Sequence, residues 1–322
     1  MLIVQKFGGT SLAGPEAVRR SAMHIARAAA RGDAVAAVLS AQGDATDALI
    51  SDAERYSPSP PPRELDMLLA TGEQASAALM AMALSELGVE AVSLTGWQAG
   101  METDDTFGRA RLRRVDVSRV RTELEAGRVA LIAGFQGVTR RGDITTLGRG
   151  GSDTTAVALA AALRADRCRI YTDVEGVYTA DPRLVETAKK LEAVDTDEMH
   201  RLSSMGAQVL HERSVALAKR YRVPLEVLSS RTVTPGTRIL PLPLPAGEGR
   251  LTALAAEGPL VTLVGTGLRS LPFNPGRRAA EALLREGVDA AAYLQTDEYL
   301  SVQVEPERAK DALRILHREF FE

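Results

Sequence analysis

The alternation of short apolar runs with helical stretches over the first 240 residues constrains the fold of this 322-residue chain more than any other feature. Runs at 2–6, 34–40 and 129–134 have the length of buried strands, whereas 65–88 has helical spacing. Strands that alternate with helices form largely parallel sheets covered on both faces. We therefore predict an α/β domain, a three-layer αβα sandwich with a mostly parallel central sheet.

Two proline-rich stretches interrupt this pattern. The first, 57–62, is expected to be an extended surface connection. The second, 241–249, is rich in proline and glycine and separates regions of different composition, so we expect a main domain at 1–240, a linker at 241–249 and a small domain at 250–322. The small domain has the order β-α-β-β-α, which is typical of ferredoxin-like α+β modules.

Charge and cysteine content argue against several classes of partner. The formal net charge is −3, and the densest basic stretch, 109–121, carries six arginines that we interpret as a solvated helical face. Neither feature favours nucleic acid. No uninterrupted apolar run reaches the roughly 20 residues of a membrane-spanning helix, so no membrane partner is expected. A single cysteine, Cys168, cannot form an internal disulfide, which favours the cytoplasm.

The first candidate site is a strand that ends in two glycines. Val4-Gln-Lys6-Phe-Gly8-Gly9-Thr-Ser11 reads as a strand, a tight turn and a helix start. Glycines let the backbone approach a phosphate closely, and amides at a helix N-terminus favour anions. Lys6 adds a positive charge beside the turn. No Gly-Lys-Ser or Gly-Lys-Thr occurs in the chain, so this is not a Walker-type loop, and an ordinary tight turn is the alternative.

The second candidate site is the segment 145–153, Thr-Thr-Leu-Gly-Arg-Gly-Gly-Ser-Asp. Its three glycines precede a helix start and form a second place where an anion can approach the backbone. Arg149 can hold a carboxylate through two parallel hydrogen bonds. Glycine-rich loops are common, but their combination with the first segment is not.

Several separated motifs together resemble aspartate kinases of the amino-acid kinase superfamily. The resemblance covers roughly 1–240 and rests on motifs whose order and spacing are hard to produce by chance. The motifs are Lys6-Phe-Gly-Gly-Thr-Ser11, Leu39-Ser-Ala-Gln-Gly-Asp-Ala-Thr46-Asp47, Thr71-Gly72-Glu73, Asp104-Asp-Thr-Phe-Gly-Arg109, Gly148-Arg-Gly-Gly-Ser-Asp153, Tyr171-Thr172-Asp173-Val-Glu-Gly176-Val-Tyr178-Thr-Ala-Asp181-Pro-Arg183 and Met205-Gly-Ala-Gln-Val-Leu-His211.

The resemblance implies the amino-acid kinase fold and transfer of the ATP γ-phosphoryl group to the β-carboxylate of L-aspartate. The product would be 4-phospho-L-aspartate, the first intermediate towards lysine, threonine, methionine and diaminopimelate. Lys6 and Asp153 would be catalytic, with Asp153 orienting Lys6 or a metal-bound water. The substrate would be held by Arg149 at its α-carboxylate and by Glu73 at its α-ammonium group. The remaining pocket residues implied are Ser40, Thr46 and Ser152.

The same resemblance implies a nucleotide site and a metal requirement. Mg²⁺ would be held mainly by the ATP phosphates, so no protein metal site is expected, and the four histidines match no zinc spacing. The residues implied in ATP binding are Lys6, Gly8, Gly9, Ser11, Thr172, Asp173, Tyr178, Asp181 and Arg183. For Tyr178 a core position, and for 181–183 an ordinary turn, are the alternatives.

Two positions depart from the family pattern. Gln208 stands where many relatives carry a lysine that approaches the nucleotide phosphates. Asp44 puts an acid near an acidic substrate, and we expect it to point to solvent.

The C-terminal segments 261–270 and 312–319 resemble the last ACT domain of aspartate kinases. Most relatives carry two such modules, and here the length after the linker suffices for one. Features expected of a ligand-binding copy are missing around 287–289 and 294–295. We therefore expect the module to build a homodimer rather than to bind lysine or threonine.

Two other functions compete with this one. A kinase of the same fold that acts on another amino-acid carboxylate, such as glutamate or acetylglutamate, would lack the combination of the first motif with Phe-Gly-Arg. A non-catalytic amino-acid sensor would keep the fold and the ACT module, but Lys6, Arg149 and Asp153 argue against it.

Overall fold

The computed structural model describes residues 1–207 and 209–322, so Gln208 lies outside the described residues. The chain divides into two compact units. One comprises Met1–Glu175 and Ala216–Pro235, and the other comprises Gly176–Val215 and Gly236–Glu322. Each unit is built from segments that are far apart in sequence.

The first unit alternates strands and helices along the chain. Its strands are β1 Leu2–Phe7, β2 Ala34–Leu39, β3 Ala91–Leu94, β4 Met101–Thr103, β5 Leu112–Val115, β6 Val129–Ala133, β7 Gln136–Val138, β8 Ile144–Thr146, β9 Arg167–Thr172 and β11 Leu225–Ser229. Its helices are α1 Pro15–Ala30, α2 Ala45–Tyr56, α3 Pro62–Ser85, α4 Ser118–Glu125 and α5 Gly151–Leu163. Helix α7, Glu212–Tyr221, begins in the second unit and ends in the first.

Six of these strands form a parallel sheet in the order β11-β9-β1-β2-β6-β3. Strands β2 and β6 consist of Ala, Val, Leu and Ile and are almost wholly buried, as central strands covered on both faces must be. All carboxyl ends of a parallel sheet lie at one edge, so the loops that follow β1, β2, β6 and β9 meet there. The expected mostly parallel sheet is confirmed.

Helices cover both faces of this sheet. Helices α1 and α3 pack on one face, where Phe7, Ile25, Leu39, Met80 and Leu131 form the core. Helix α5, buried along most of its length, packs against β1, β2 and β9. Helix α3 is long and apolar enough to cross a membrane by length and composition, but it carries buried carboxylates and packs against β3, β6 and β8, as a core helix does.

A small mixed sheet, β5-β4-β7-β8, completes the first unit. The turn residues Arg141-Gly142-Asp143 predict a hairpin, and it is confirmed: β7 and β8 are antiparallel and joined by a turn in which Gly142 has φ +90°. The interpretation of 109–121 as one helical face is wrong, because the segment contains β5 and only the start of α4. One arginine of the stretch, Arg119, pairs with the buried Glu123, which Arg128 also contacts.

The second unit is an α+β module. Its strands are β10 Ala193–Asp195, β12 Thr237–Leu240, β13 Arg250–Glu257, β14 Leu260–Thr266, β15 Ala290–Gln295 and β16 Tyr299–Val304, and its helices are α6 Thr196–Ser204, α8 Pro275–Arg285 and α9 Ala309–Phe321. The order β14-α8-β15-β16-α9 confirms the predicted β-α-β-β-α pattern. Strand β13 adds a fourth strand, giving an antiparallel sheet in the order β13-β14-β16-β15. Strands β10 and β12 pair in parallel.

The segment 176–192 belongs to the core of this second unit. Ala180 and Val185 pack in one cluster with Leu254 and Leu263, and the Leu254 N–H donates to the Thr179 carbonyl at 2.8 Å. The compact units therefore divide the chain elsewhere than at the linker. The division into a main domain at 1–240, a linker at 241–249 and a small domain at 250–322 stays a prediction.

Candidate active site

A cavity of about 470 Å³ opens in the first unit among the loops that follow β1, β2 and β6, at the carboxyl edge of the sheet. It brings together Lys6, Gly9, Ser40, Thr46, Glu73, Arg149, Ser152 and Asp153, all of which the sequence had singled out. The remaining residues of its wall are Ala41, Gly43, Phe135, Gly148, Gly150 and Gly151. Segments that are distant in sequence thus share one cavity.

Lys6 and Asp153 form an ion pair in this cavity. Lys6 Nζ lies 2.7 Å from Asp153 Oδ1, and each side chain is 12% exposed. Lys6 comes from the end of β1 and Asp153 from the first turn of α5. An ammonium group held in this way has a defined position and little freedom, which suits it to meet a developing negative charge.

The glycine turn after β1 fits closely against its neighbours. A Cβ on Gly9 would lie 3.1 Å from the Ala41 carbonyl oxygen, and one on Gly8 would lie 3.3 Å from Lys6 Nζ. The Gly8 N–H already donates to the Tyr171 carbonyl, at a long 3.3 Å. Ser11 is buried with its Oγ covered, so its side chain lies beneath the turn rather than in the cavity. The predicted phosphate contacts of the Gly8 amide and of Ser11 therefore lack direct support in this geometry.

Glu73 places a buried carboxyl group in the cavity wall. It is 3% exposed, and its Oε1 accepts a hydrogen bond from the Ala41 N–H at 3.0 Å. Its Oε2 has no hydrogen-bond partner among the residues that the structure describes. Burial raises the pKa of Glu73 to about 7, and the hydrogen bond from Ala41 opposes that shift. A ligand ammonium group would supply the partner that Oε2 lacks.

Gly72 allows α3 to approach the end of β2 closely. A Cβ at this position would lie 2.9 Å from the Ala41 Cβ. The absence of a side chain at Gly72 therefore lets Glu73 reach the Ala41 amide. Steric crowding against Ala41 thus explains why the Thr-Gly-Glu motif has a glycine before Glu73.

Arg149 lies in a loop between two glycines with positive φ, Gly148 at +73° and Gly150 at +71°. Its side chain is exposed, and no hydrogen bond or ion pair to it is found within 1–207 and 209–322. Ser152 follows in the first turn of α5, where helix amides are also directed outward. The loop thus presents an unpaired guanidinium group to an anionic ligand.

Ser40 and Thr46 are half-buried and lie in the cavity wall. Asp44 is exposed and is absent from that wall, in agreement with the expectation that it points to solvent. Its carboxylate makes no capping hydrogen bond to α2.

Phe135 is a wall residue that sequence reasoning missed. It has φ +67°, its N–H donates to Thr155 Oγ1 at 3.1 Å, and its carbonyl accepts from the Leu147 N–H at 2.8 Å. A Cβ on Gly151 would lie 2.7 Å from its ring. A left-handed conformation is costly for a bulky residue and is frequent at functional sites. The only signal in the sequence was its place between two short strands, next to Gly134.

The residues expected to bind the nucleotide fall into two groups. Thr172 ends β9 and Asp173 follows it; because β9 pairs with β1, both lie beside the glycine turn in the first unit. Tyr178, Asp181 and Arg183 lie in the second unit. Arg183 donates to both carboxylate oxygens of Asp181, the shortest bond being 2.7 Å, and this pairing holds the pKa of Asp181 below its usual value. This geometry agrees with an ordinary turn at 181–183, which was the alternative to a role in ATP binding.

No cluster of three or more His, Cys, Asp or Glu side chains that could hold a metal ion is found in the described part of the chain. Asp153 is already paired with Lys6.

The fold and the cavity place this chain in a known class. Residues 1–229 match the model of the amino acid kinase family, and the chain belongs to that family. The resemblance to aspartokinases that the motifs suggested is confirmed. The chain is 54% identical over 238 residues to the aspartokinase of Geobacillus stearothermophilus, covering 74% of this chain and 58% of that protein. It is 43% identical over 324 residues to the aspartokinase of Thermus thermophilus, covering 98% of this chain and 79% of that protein.

The solved structure of Escherichia coli aspartokinase III in complex with aspartate and ADP has the same fold. It superposes with a TM-score of 0.88 at 24% identity over the whole of both chains. The chain spans less than two thirds of the length of several curated relatives that it matches.

Proposed function

We propose that the protein transfers the γ-phosphoryl group of ATP to the β-carboxylate of L-aspartate, giving 4-phospho-L-aspartate. The observation that carries this proposal is the cavity that holds Arg149, Glu73 and the Lys6–Asp153 pair together. An unpaired guanidinium and a buried carboxylate with one unpartnered oxygen match the α-carboxylate and the α-ammonium group of an amino acid. The aspartokinase relatives support aspartate as that amino acid.

The chemistry requires positioning rather than a general base. The side chain of aspartate has a reference pKa of about 3.9, so it is already ionised at neutral pH and can attack phosphorus directly. Two anions must then be brought together and the charge of the transition state stabilised. Lys6, oriented by Asp153, provides the positive charge at the glycine turn, while Arg149, Glu73, Ser40, Thr46 and Ser152 hold the substrate.

For the nucleotide we propose Gly8, Gly9, Ser11, Thr172 and Asp173 beside Lys6. Membership of the kinase family supports ATP as the donor. Mg²⁺ bound mainly to the phosphates would neutralise their charge, and Asp153, which pairs with Lys6, could hold one of its waters.

One assay separates this function from its rivals. Hydroxylamine traps acyl phosphates as hydroxamates, so ATP turnover is measured with L-aspartate, L-glutamate or acetylglutamate as acceptor. We expect hydroxamate only with L-aspartate. Product with another acid would assign a different carboxylate kinase, and no ATP turnover with any of the three would favour an amino-acid sensor.

We further propose a homodimer formed through the C-terminal module, in the cytoplasm. Strand β15 is an edge strand, and Tyr293 and Leu294 on it are 43% and 57% exposed. An exposed apolar edge favours pairing with a second copy. Light scattering after chromatography should give a dimer, and Leu294→Asp should give a monomer that keeps its ATP turnover. A wild-type monomer would exclude this arrangement.

The buried Cys168, whose thiol pKa is raised by burial, fits a reducing compartment.

A further inference from the structure

Asp66, near the start of helix α3, is a buried carboxylate that none of the sequence motifs contains. It is 1% exposed, and both of its oxygens accept hydrogen bonds. The Gly108 N–H donates to Oδ1 at 3.0 Å and to Oδ2 at 2.9 Å, while the Thr146 N–H donates to Oδ2 at 2.8 Å and Thr146 Oγ1 to Oδ1 at 2.7 Å. One carboxylate thus holds two loops that are remote from it in sequence.

The two anchored residues adjoin the glycine loop of the cavity wall. Thr146 ends β8, directly before the glycine loop that carries Arg149, and Gly108 belongs to the Phe-Gly-Arg element. The loops also touch each other, since the Ala110 N–H donates to the Thr146 carbonyl at 2.8 Å. A Cβ on Gly148 would lie 3.0 Å from the Gly108 carbonyl oxygen. A shift of either loop would therefore displace the residues around Arg149.

Helix α3 also carries Glu73, seven residues after Asp66 and on the same buried face. Seven residues correspond to about two turns, or roughly 10 Å along the axis. One rigid helix therefore holds the carboxylate of the cavity directly and the loop of the guanidinium group through Asp66. The distance between the two opposite charges depends on this single element.

We infer that Asp66 is a positioning residue that sets the place of Arg149 relative to Glu73 and thereby the selection of an α-amino acid. This inference rests on the proposed function, in which those two side chains bind the α-carboxylate and the α-ammonium group. Asp66 does not touch the cavity, since it is absent from its wall. Three donors bind its two oxygens. A carboxylate can accept all of these hydrogen bonds, whereas an amide has only one oxygen that accepts.

The test compares Asp66→Asn with the wild type in the hydroxamate assay. The amide nitrogen cannot accept the bonds that one oxygen accepted, so the loop should shift while helix α3 stays. We expect the KM for aspartate to rise at least tenfold and the KM for ATP to change less than threefold. Succinate lacks the ammonium group that Glu73 would bind. The ratio of the inhibition constant of succinate to the KM for aspartate should be smaller in the variant than in the wild type, because discrimination at Glu73 is lost.

Glu123→Gln is the matched control. Glu123 is also buried and paired, with Arg119 and Arg128, but it lies outside the cavity wall. This control should lower the melting temperature and leave both KM values near those of the wild type.

Thr146→Val and Thr146→Ser keep the test decisive if Asp66→Asn does not fold. The valine removes one bond to Asp66 and should raise the aspartate KM at least threefold, whereas the serine keeps the hydroxyl donor and should behave as the wild type. Unchanged aspartate KM in folded Asp66→Asn, or in Thr146→Val, would overturn the inference while the proposed function stands. A wild-type protein without aspartate-dependent turnover would overturn both.

Discussion

Lys6 Nζ lies 2.7 Å from Asp153 Oδ1, and this ion pair joins the two glycine-rich segments on which the sequence analysis depended. Lys6 belongs to the first segment and lies near the end of β1, and Asp153 closes the second segment in the first turn of α5. Both side chains are largely buried, so the pair is less screened by solvent than a surface ion pair. Neither partner is therefore expected to be replaceable without loss of function.

Lys6→Ala should lower turnover with aspartate at least about 10²-fold, because removal of a preorganised donor of this kind costs roughly 3–4 kcal/mol in the transition state. Steady-state rates, with circular dichroism to confirm folding, measure this effect. Lys310→Ala, at an exposed position of α9, is the control and should keep full activity. Turnover of Lys6→Ala within threefold of the wild type would remove Lys6 from the mechanism.

Arg149→Ala should chiefly weaken aspartate binding, because the guanidinium that pairs with the α-carboxylate is lost. Arg149→Lys should recover only part of the affinity, since an ammonium group cannot form two parallel bonds. The measurement is the KM for aspartate at saturating ATP and the KM for ATP at saturating aspartate. If only the ATP value rises, Arg149 belongs to the nucleotide site instead.

Glu73, whose pKa is raised to about 7 by burial, should make aspartate binding depend on pH. Below pH 7 the carboxyl group is neutral and cannot pair with an ammonium group, so the KM for aspartate should rise as the pH falls from 8 to 6. In Glu73→Gln the KM should be high and flat over that range. The same pH dependence in the glutamine variant would assign the titration to another group.

The same shift predicts an effect on stability with a defined sign. A carboxyl pKa raised above its unfolded value of 4.5 destabilises the folded state increasingly as the pH rises from 4.5 to about 7. The full cost above pH 7 is of the order of 3 kcal/mol. Glu73→Gln should therefore melt at a higher temperature than the wild type at pH 8 and show little gain at pH 4. Glu64→Gln, exposed on the same helix, is the control and should change neither value.

Gly72→Ala should reduce activity more than stability. The added methyl group would lie 2.9 Å from the Ala41 Cβ, so helix α3 would have to move away from the end of β2. The bond between Glu73 and the Ala41 N–H would lengthen, and the KM for aspartate should rise at least tenfold. Ser85→Ala, at an exposed position of the same helix, is the control and should leave the KM for aspartate unchanged.

Activity should be insensitive to lysine and threonine, singly or together, at millimolar concentration. Feedback inhibition needs an effector site and two states that differ in affinity for the effector. Initial rates at sub-saturating aspartate with each amino acid decide this, and a sigmoidal loss of activity below 1 mM would contradict it. Truncation after Leu240 is not a suitable control, because it would remove the core on which Ala180 and Val185 pack.

Local sequence signals predicted the elements of the fold well. The parallel strands, the hairpin at Gly142 and the β-α-β-β-α order are all present, because each depends on periodicity or on turn residues within a short window. The arginine-rich stretch was misinterpreted, since exposed arginines do not distinguish strand β5 from helix α4. The motifs also supplied most of the cavity wall, because they mark turns at the carboxyl ends of strands.

By itself, the sequence determined the strands, the glycine turns and the charged residues that stand beside them. Only the tertiary structure decided which of them meet: that Asp66 joins Gly108 to Thr146, that Phe135 lines the cavity, and that the segment 176–192 packs with the C-terminal module. The physical reason is that such contacts depend on how distant elements pack and on which buried donors need an acceptor. No local pattern carries that information, since a buried carboxylate is recognised only by the donors that surround it.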